Sequence, residues 1–88
     1  MDIEVKIQYK NDKLQAARKA AGLSQSQLAE AAEINVRTLQ HYEQGSKDIN
    51  TARLETILKI CNALKCQISD ILSDPEVLAL LSVYEKRK

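Results

Sequence analysis

The chain has 88 residues with a formal net charge of +1 at pH 7, and 44% of its residues are hydrophobic. This length suits a single domain with one core. The near-neutral charge excludes a chain that is basic throughout, so any nucleic-acid site must be a local basic face. Phe and Trp are absent, and two Gly and one Pro leave few helix breakers. We therefore predict an all-α domain over residues 1–88, built on aliphatic side chains.

The cysteines and the single histidine form no recognisable metal or redox motif. Cys61 and Cys66 are five residues apart, which is neither a CxxC pair nor a zinc-ligand spacing, and His41 lies far from both in sequence. We expect both cysteines to be small buried hydrophobes, with no metal and no cofactor. No apolar run approaches about 18 residues and no signal peptide opens the chain, so we expect a cytoplasmic protein without membrane spans.

The first ten residues alternate between apolar and polar. In "DIEVKIQYK" the odd positions from Ile3 to Tyr9 are apolar or aromatic and the even positions are polar or charged, which is the pattern of a β-strand. We predict a short N-terminal strand or arm over residues 1–10. Asn11 or Asp12 can then cap a first helix, "KLQAARKAAG", which Gly22 ends.

Two short helices follow, separated by the three-residue link "EIN". Ser24 and Gln27 form a capping-box pair at the start of "QSQLAEAA". Asn35 can cap the next helix and Gly45 can end it, which gives "NVRTLQHYEQG". One arc of this helix holds an arginine, a histidine, two glutamines and a valine, while apolar residues such as Leu39 lie on the other arc and can anchor it in a core.

The rest of the chain predicts further helices. "TARLETILKICNALK" has helical apolar spacing, and "ISDIL" predicts one short turn of helix. Asp74 and Pro75 are an N-cap followed by a proline at the first helical position. We therefore predict a C-terminal helix and basic tail over residues 74–88. Its apolar residues are Val77, Leu78, Leu80, Leu81 and Tyr84.

Two short helices joined by a tight link, the second with a polar outward arc, describe a helix-turn-helix. The stretch "LSQSQLAEAAEINVRTLQHYEQG" resembles the motif of lambda-repressor-like DNA-binding domains of the XRE/Cro type. The resemblance extends over about residues 13–72. It implies a compact five-helix domain, to which this chain adds the N-terminal strand and the C-terminal helix. The matching positions are Gln25, Leu28, Ala29, Ile34, Leu39, Tyr42, Glu43 and Gly45.

The resemblance assigns base contacts to the third helix, which lies in the DNA major groove in this family. It implies that Val36, Arg37 and His41 lie nearest the bases, with Gln40 close behind. The chemistry of these side chains agrees: arginine can donate two hydrogen bonds to guanine, glutamine can pair with adenine, and valine can touch a thymine methyl. The alternative is an ordinary solvated helix face.

Contacts to the DNA backbone are implied at both ends of the motif. Ser24 and Gln25 begin the second helix, where N–H groups and the helix dipole favour a phosphate, and the family uses the residue matching Gln25 as a phosphate clamp. Lys47, Asn50 and Arg53 follow the third helix and could hold the next phosphates. The alternatives are a purely capping role for Ser24 and a solvated charge at Lys47.

Two further positions carry structural expectations. The resemblance implies an ion pair between Arg18 in the first helix and Glu43 in the third, which would brace the recognition surface. Glu33 occupies a link position that is often glycine in such motifs. A left-handed backbone there would cost about 1 kcal/mol, or the turn is built differently here.

The sequence therefore predicts a sequence-specific DNA-binding transcriptional regulator of bacterial or phage type. We expect it to bind double-stranded DNA at an inverted-repeat operator as a homodimer, through the last helix, the N-terminal strand or both. One alternative is an antitoxin that binds a toxin and regulates its own operon, and another is a protein-interaction module without DNA binding. No catalytic triad, metal spacing or glycine-rich phosphate loop is visible, so we do not expect an enzyme.

Overall fold

The computed structural model describes Tyr9 and residues 11–87. The predicted C-terminal helix is present, and "ISDIL" forms only a single 3-10 turn, as its length suggested. None of the described helices is long and apolar enough to cross a membrane. The α-helices are α1 (Lys13–Ala20), α2 (Gln25–Ala32), α3 (Val36–Gln44), α4 (Leu54–Leu64) and α5 (Pro75–Glu85), with 3-10 turns at Ile49–Thr51 and Ile68–Asp70.

The predicted N-terminal β-strand is wrong, because the described part of the chain consists of helices and turns and contains no strand. Residues 1–8 and 10 of that segment lie outside the described residues, and Tyr9 is not in a strand. Tyr9 instead donates its backbone N–H to the carbonyl of Gly45 at 2.8 Å. Alternation shows that a segment could be half-buried when extended, but a strand also requires a neighbouring strand. The described helical fold supplies none.

Local capping fixes where the helices begin. Ser24 Oγ accepts a hydrogen bond from the Gln27 backbone N–H at 3.1 Å, and Gln27 Oε1 accepts one from the Ser24 N–H at 2.8 Å. The predicted capping box is therefore present. Asn35 Oδ1 accepts from the Arg37 N–H at 2.7 Å, and Asp74 caps α5 in the same way. These bonds satisfy N–H groups that have no partner inside their own helix.

Glu33 turns the chain between α2 and α3. Its backbone is left-handed, with φ 56° and ψ 42°, so the first of the two alternatives for this position holds. Ile34 donates its N–H to the Ala29 carbonyl at 2.9 Å, and Glu33 donates to the Glu30 carbonyl at 3.1 Å. The two bonds close α2 in a Schellman motif, a turn that usually takes glycine at its left-handed position.

Gly45 ends α3 at a position that requires glycine for two reasons. Its φ is 83°, in the left-handed region. A Cβ at this position would also lie 3.3 Å from the Tyr9 carbonyl oxygen. Because glycine has no Cβ, it can adopt this conformation and let the chain at Tyr9 approach closely. The approach carries the N-terminal end of the described chain past the end of α3.

All the helices share one aliphatic core, in which α2 packs against both α3 and α4. Leu28, Leu39 and Ile60 are completely buried at its centre. Helix α5 contributes only the partly buried Val77 and Leu78 at the edge. The core therefore fixes the orientation of α3 more firmly than the orientation of α5. The other buried apolar residues are Leu14, Ala29, Ala32, Ile49, Ile57, Cys61, Leu64, Ile71 and Leu72.

The two cysteines meet at the end of α4. Cys61 is buried, Cys66 is half-buried, and both are free thiols. Cys66 donates its N–H to the Cys61 carbonyl at 3.1 Å, across a left-handed Lys65 with φ 54°. Burial, with a smaller effect from Cys66, raises the pKa of the Cys61 thiol to about 12. Cys61 thus behaves as the small buried hydrophobe that its spacing predicted.

Candidate nucleic-acid interface

Helix α3 has one buried side and one exposed side. Leu39 fixes the buried side in the core, while Arg37 and His41 are exposed on the other. Val36 and Gln40 are half-buried at the border between the two. Since positions three and four apart lie on the same side of a helix, these side chains form one continuous surface. We call Val36, Arg37, Gln40 and His41 the α3 outer surface.

The ring of His41 is held by a serine that the sequence analysis did not single out. His41 Nδ1 lies 2.8 Å from Ser46 Oγ, and Ser46 Oγ donates to the His41 carbonyl at 3.2 Å. Which of Nδ1 and Oγ donates in the first of these bonds depends on the tautomer of the His41 ring. The only sequence signal for this bond is a hydroxyl directly after the terminating glycine.

Arg18 and Glu43 form a buried, bidentate ion pair between α1 and α3. Arg18 Nε and one terminal nitrogen donate to the two Glu43 carboxylate oxygens at 2.8 Å and 2.9 Å. The other terminal nitrogen donates to the Leu23 carbonyl at 2.9 Å. The side chains are only 10% and 2% exposed. The hydrogen bond to Glu43 raises the pKa of Arg18 above its usual value, so the pair stays charged.

Gln25 extends this ion pair toward the α3 outer surface. Its Nε2 donates to a Glu43 carboxylate oxygen at 3.2 Å, and its Oε1 lies 3.4 Å from the Nε2 of Gln40. The sequence indicated only a phosphate role for Gln25, and neither bond was predicted. They join residues 15 and 18 positions apart, a separation at which sequence spacing gives no signal.

The other residues expected at the DNA backbone divide into two groups. Ser24, Lys47 and Arg53 are exposed, at the start of α2, after α3 and before α4. Asn50 is half-buried, and its amide bonds to the segment that precedes α5: its Oδ1 accepts from the Ser73 N–H at 2.8 Å. The structure therefore leaves Ser24, Lys47 and Arg53 exposed, and it directs the side chain of Asn50 to the segment before α5.

Comparison with known proteins agrees with this arrangement. The sequence model of the Cro/C1-type helix-turn-helix DNA-binding domain matches residues 13–76, which is most of the chain. The chain belongs to this family. It is a DNA-binding transcriptional regulator. Helices α2 and α3, with the turn at Glu33, lie within the matched domain.

Two solved structures resemble this Cro/C1-type protein. One is the restriction-modification controller protein C.AhdI from Aeromonas hydrophila, at 28% identity and a TM-score of 0.62, over 69% of this chain and 88% of that one. The other is the clp gene regulator ClgR from C. glutamicum, at 20% identity and a TM-score of 0.59, over 98% of this chain and all of that one. At this identity, ClgR supports the fold alone. No curated protein sequence matches the chain.

Proposed function

We propose that this Cro/C1-type regulator places α3 in the major groove and binds an inverted-repeat operator as a homodimer. The observation that supports this proposal best is the α3 outer surface, whose exposed and half-buried side chains suit base edges, on a helix held by a buried ion pair. A rigid helix presents these groups in one geometry, which sequence discrimination requires. Membership of a DNA-binding family argues against a protein-interaction module that lacks DNA binding.

Each side chain of the α3 outer surface suits a different base edge. Arg37 is the exposed cation and would donate two hydrogen bonds to guanine O6 and N7. His41, with Nδ1 bound to Ser46, would present Nε2 to a base edge. Gln40 would approach adenine, and the Val36 methyl groups would meet a thymine methyl. These roles together would read a short half-site.

Phosphate contacts would fix the helix on the duplex. Ser24 and Gln25 lie at the N-terminus of α2, where backbone N–H groups and the helix dipole attract a phosphate. The exposed Lys47 and Arg53 would neutralise phosphates on the far side of α3. We assign no phosphate to Asn50, because its amide is already hydrogen-bonded to the segment before α5.

The proposed dimer uses the outer side of α5. Leu80, Val83 and Tyr84 are 65%, 58% and 73% exposed, and their spacing puts them on one side of the helix. We call them the α5 stripe. A second copy of α5 across a two-fold axis would cover the stripe on both chains at once. The two recognition helices of such a dimer would meet two half-sites of a palindromic operator.

The experiment is selection of binding sites from random double-stranded DNA, followed by affinity measurements at several salt concentrations. We expect enrichment of an inverted repeat and an affinity that falls as salt rises, since phosphate contacts release counterions. Enrichment of a single half-site would contradict the dimer. No enrichment, with co-purification of a second protein, would favour the antitoxin alternative.

A further inference from the structure

Asn50 connects two segments that are far apart in sequence. It lies in the 3-10 turn Ile49–Thr51, which follows α3. Its Oδ1 accepts hydrogen bonds from the backbone N–H groups of Ser73 at 2.8 Å and Asp74 at 2.9 Å. Its Nδ2 donates to Asp48 Oδ1 at 2.9 Å and lies 3.2 Å from Ser73 Oγ. An asparagine amide offers two donors and two acceptor lone pairs, and all are used here.

The bonds from Asn50 reach the first residues of the segment that becomes α5. Asp74 is the N-cap of this helix, and Ser73 directly precedes it. Elsewhere α5 is loosely packed on the domain. None of its residues is fully buried, and Val77 and Leu78 are only partly buried against the edge of the core. The Asn50 amide is therefore a main determinant of the direction in which α5 leaves the domain.

The loop that contains Asn50 also connects it to α3. Ile49 is 2% exposed and belongs to the core. Asp48 Oδ1 also accepts from the Asn50 backbone N–H at 3.0 Å. Earlier in the same loop, Ser46 is bonded to His41 of α3. The loop after α3 is thus hydrogen-bonded to α3 at Ser46 and Lys47, and Asp48 is bonded to Asn50. Because Ile49 also fixes the loop in the core, the loop holds the end of α3 and the start of α5 in one relative orientation.

We propose that Asn50 is a positioning residue that sets the angle between α3 and α5, and with it the half-site spacing that the dimer accepts. The inference rests on the proposed function, because α5 acts on spacing only if it forms the dimer. In a two-fold dimer the α5 pair fixes the axis, and the angle between α3 and α5 fixes how far apart the two recognition helices lie. Asn50 itself touches no base in this scheme.

The test compares spacer preferences of the full-length wild type, Asn50→Ala and Thr51→Ala. The DNA carries two copies of the selected half-site, with spacers that differ by single base pairs. Thr51→Ala is the matched control, since the Thr51 hydroxyl bonds only to the Asp48 carbonyl in the same turn, at 3.0 Å. We expect the wild type and Thr51→Ala to prefer one spacer. In Asn50→Ala the ratio of affinities between the best and next-best spacer should fall about tenfold, or about 1.4 kcal/mol.

Folding and association are checked by circular dichroism and sedimentation, so that loss of spacing preference is separated from loss of structure. If Asn50→Ala does not fold, Asn50→Ser carries the test, because its shorter hydroxyl side chain cannot reach the Ser73 and Asp74 N–H groups that the Asn50 amide oxygen binds. An unchanged spacer profile in a folded, dimeric Asn50 variant would overturn the inference alone. A wild-type protein that selects no paired half-sites would overturn the proposed function, and this inference with it.

Discussion

At the residue scale, the main feature is the Glu43 carboxylate of α3, which is only 2% exposed. Desolvation of a buried ion pair offsets most of its attraction, so such pairs add little net stability compared with an apolar pair. Removal of one partner is different, since it leaves a buried charge without compensation. Glu43 therefore makes one orientation of α3 much lower in free energy than nearby orientations, because only that orientation gives Glu43 its hydrogen bonds from both Arg18 and Gln25.

A double-mutant cycle on Arg18 and Glu43 measures this effect. We expect Arg18→Ala and Glu43→Ala each to lose about 3–5 kcal/mol of unfolding free energy. The double variant should lose much less than the sum, because no unmatched charge remains. The control pair is Glu55 and Lys59 on α4, which is exposed and 3.2 Å apart; its coupling should be about 0.3–0.5 kcal/mol. Urea unfolding gives both values, and equal couplings would contradict a bracing role.

Arg37 tests base reading. We expect Arg37→Ala to lose about 1–3 kcal/mol of binding to the selected operator and clearly less on scrambled DNA, because a bidentate guanine contact is specific to sequence. Lys47→Ala is the control: it removes a charge that would face phosphate, so it should weaken both duplexes alike and lower the salt slope by about one. Fluorescence anisotropy on the two duplexes decides. If Arg37→Ala loses the same binding free energy on both duplexes, Arg37 contacts the DNA backbone and not a base.

The sequence predicted residue roles best where chemistry and spacing are local. The cap at Asn35 and the exposure of Arg37 follow from a few neighbouring residues. The bonds of Gln25 and Asn50 depend on which distant segments the fold brings together, and no local pattern contains that information. Asn50 was expected at a phosphate because it follows α3, whereas its partners lie 23 and 24 positions further on.

At the scale of elements, the helices were predictable because caps, breakers and apolar spacing are local properties. The predicted strand was wrong because pairing is a tertiary property: the same alternation is compatible with any extended segment. The turn between α2 and α3 lies between these cases. Its position was clear from the sequence, but the left-handed backbone of Glu33 was decided only by the hydrogen bonds that close α2.

Glu33→Gly should stabilise the protein, because glycine is the residue that a left-handed helix terminus favours. Glutamate in a left-handed conformation costs about 1 kcal/mol, and glycine does not bear this cost. The gain in unfolding free energy should therefore be positive and up to about 1 kcal/mol. Glu33→Ala is the control and should give no comparable gain, because alanine carries the same Cβ. A loss of stability in Glu33→Gly would show that the side chain has a contact that outweighs the strain.

Cys61 makes the stability of the protein depend on pH in the alkaline range. The thiol has a pKa of about 12 when folded, against an ordinary value of 9.0. As pH rises, the unfolded chain releases this proton before the folded chain does. The stability that the protonated thiol contributes is therefore complete below pH 9 and is lost as pH rises from 9 toward 12. At pH about 10 the loss is about 1.4 kcal/mol. Urea unfolding at pH about 8 and about 10 gives the free energy of unfolding at each pH. Between the two, this free energy should fall less for Cys61→Ala than for the wild type, and the difference should be about 1.4 kcal/mol. Equal decreases would mean that the folded thiol titrates normally.

At the scale of the whole molecule, the central point is how α5 divides its apolar residues. From the sequence, its apolar residues formed one undivided set. The structure turns Val77 and Leu78 to the core and leaves the α5 stripe in water. The division depends on where the start of α5 is held, which is a property of the assembled domain. A sequence pattern can show that a helix has more apolar residues than its own core needs. Only the fold shows which of them remain exposed.

Leu80→Glu should convert the protein to a monomer, because a two-fold contact places each substitution, and its charge, in the interface of both chains. Its α5 neighbour Ser82 is also exposed but lies about 200° around the helix axis from Leu80. Ser82→Glu therefore adds the same charge outside the α5 stripe and should leave the dimer intact. Sedimentation of both variants gives the association state, and circular dichroism verifies that each is folded. The monomer should also bind the paired operator more weakly than Ser82→Glu does, while its affinity for an isolated half-site stays the same. A dimeric Leu80→Glu protein would exclude the stripe as the interface, since a buried glutamate facing its own copy cannot be accommodated without a large loss of affinity.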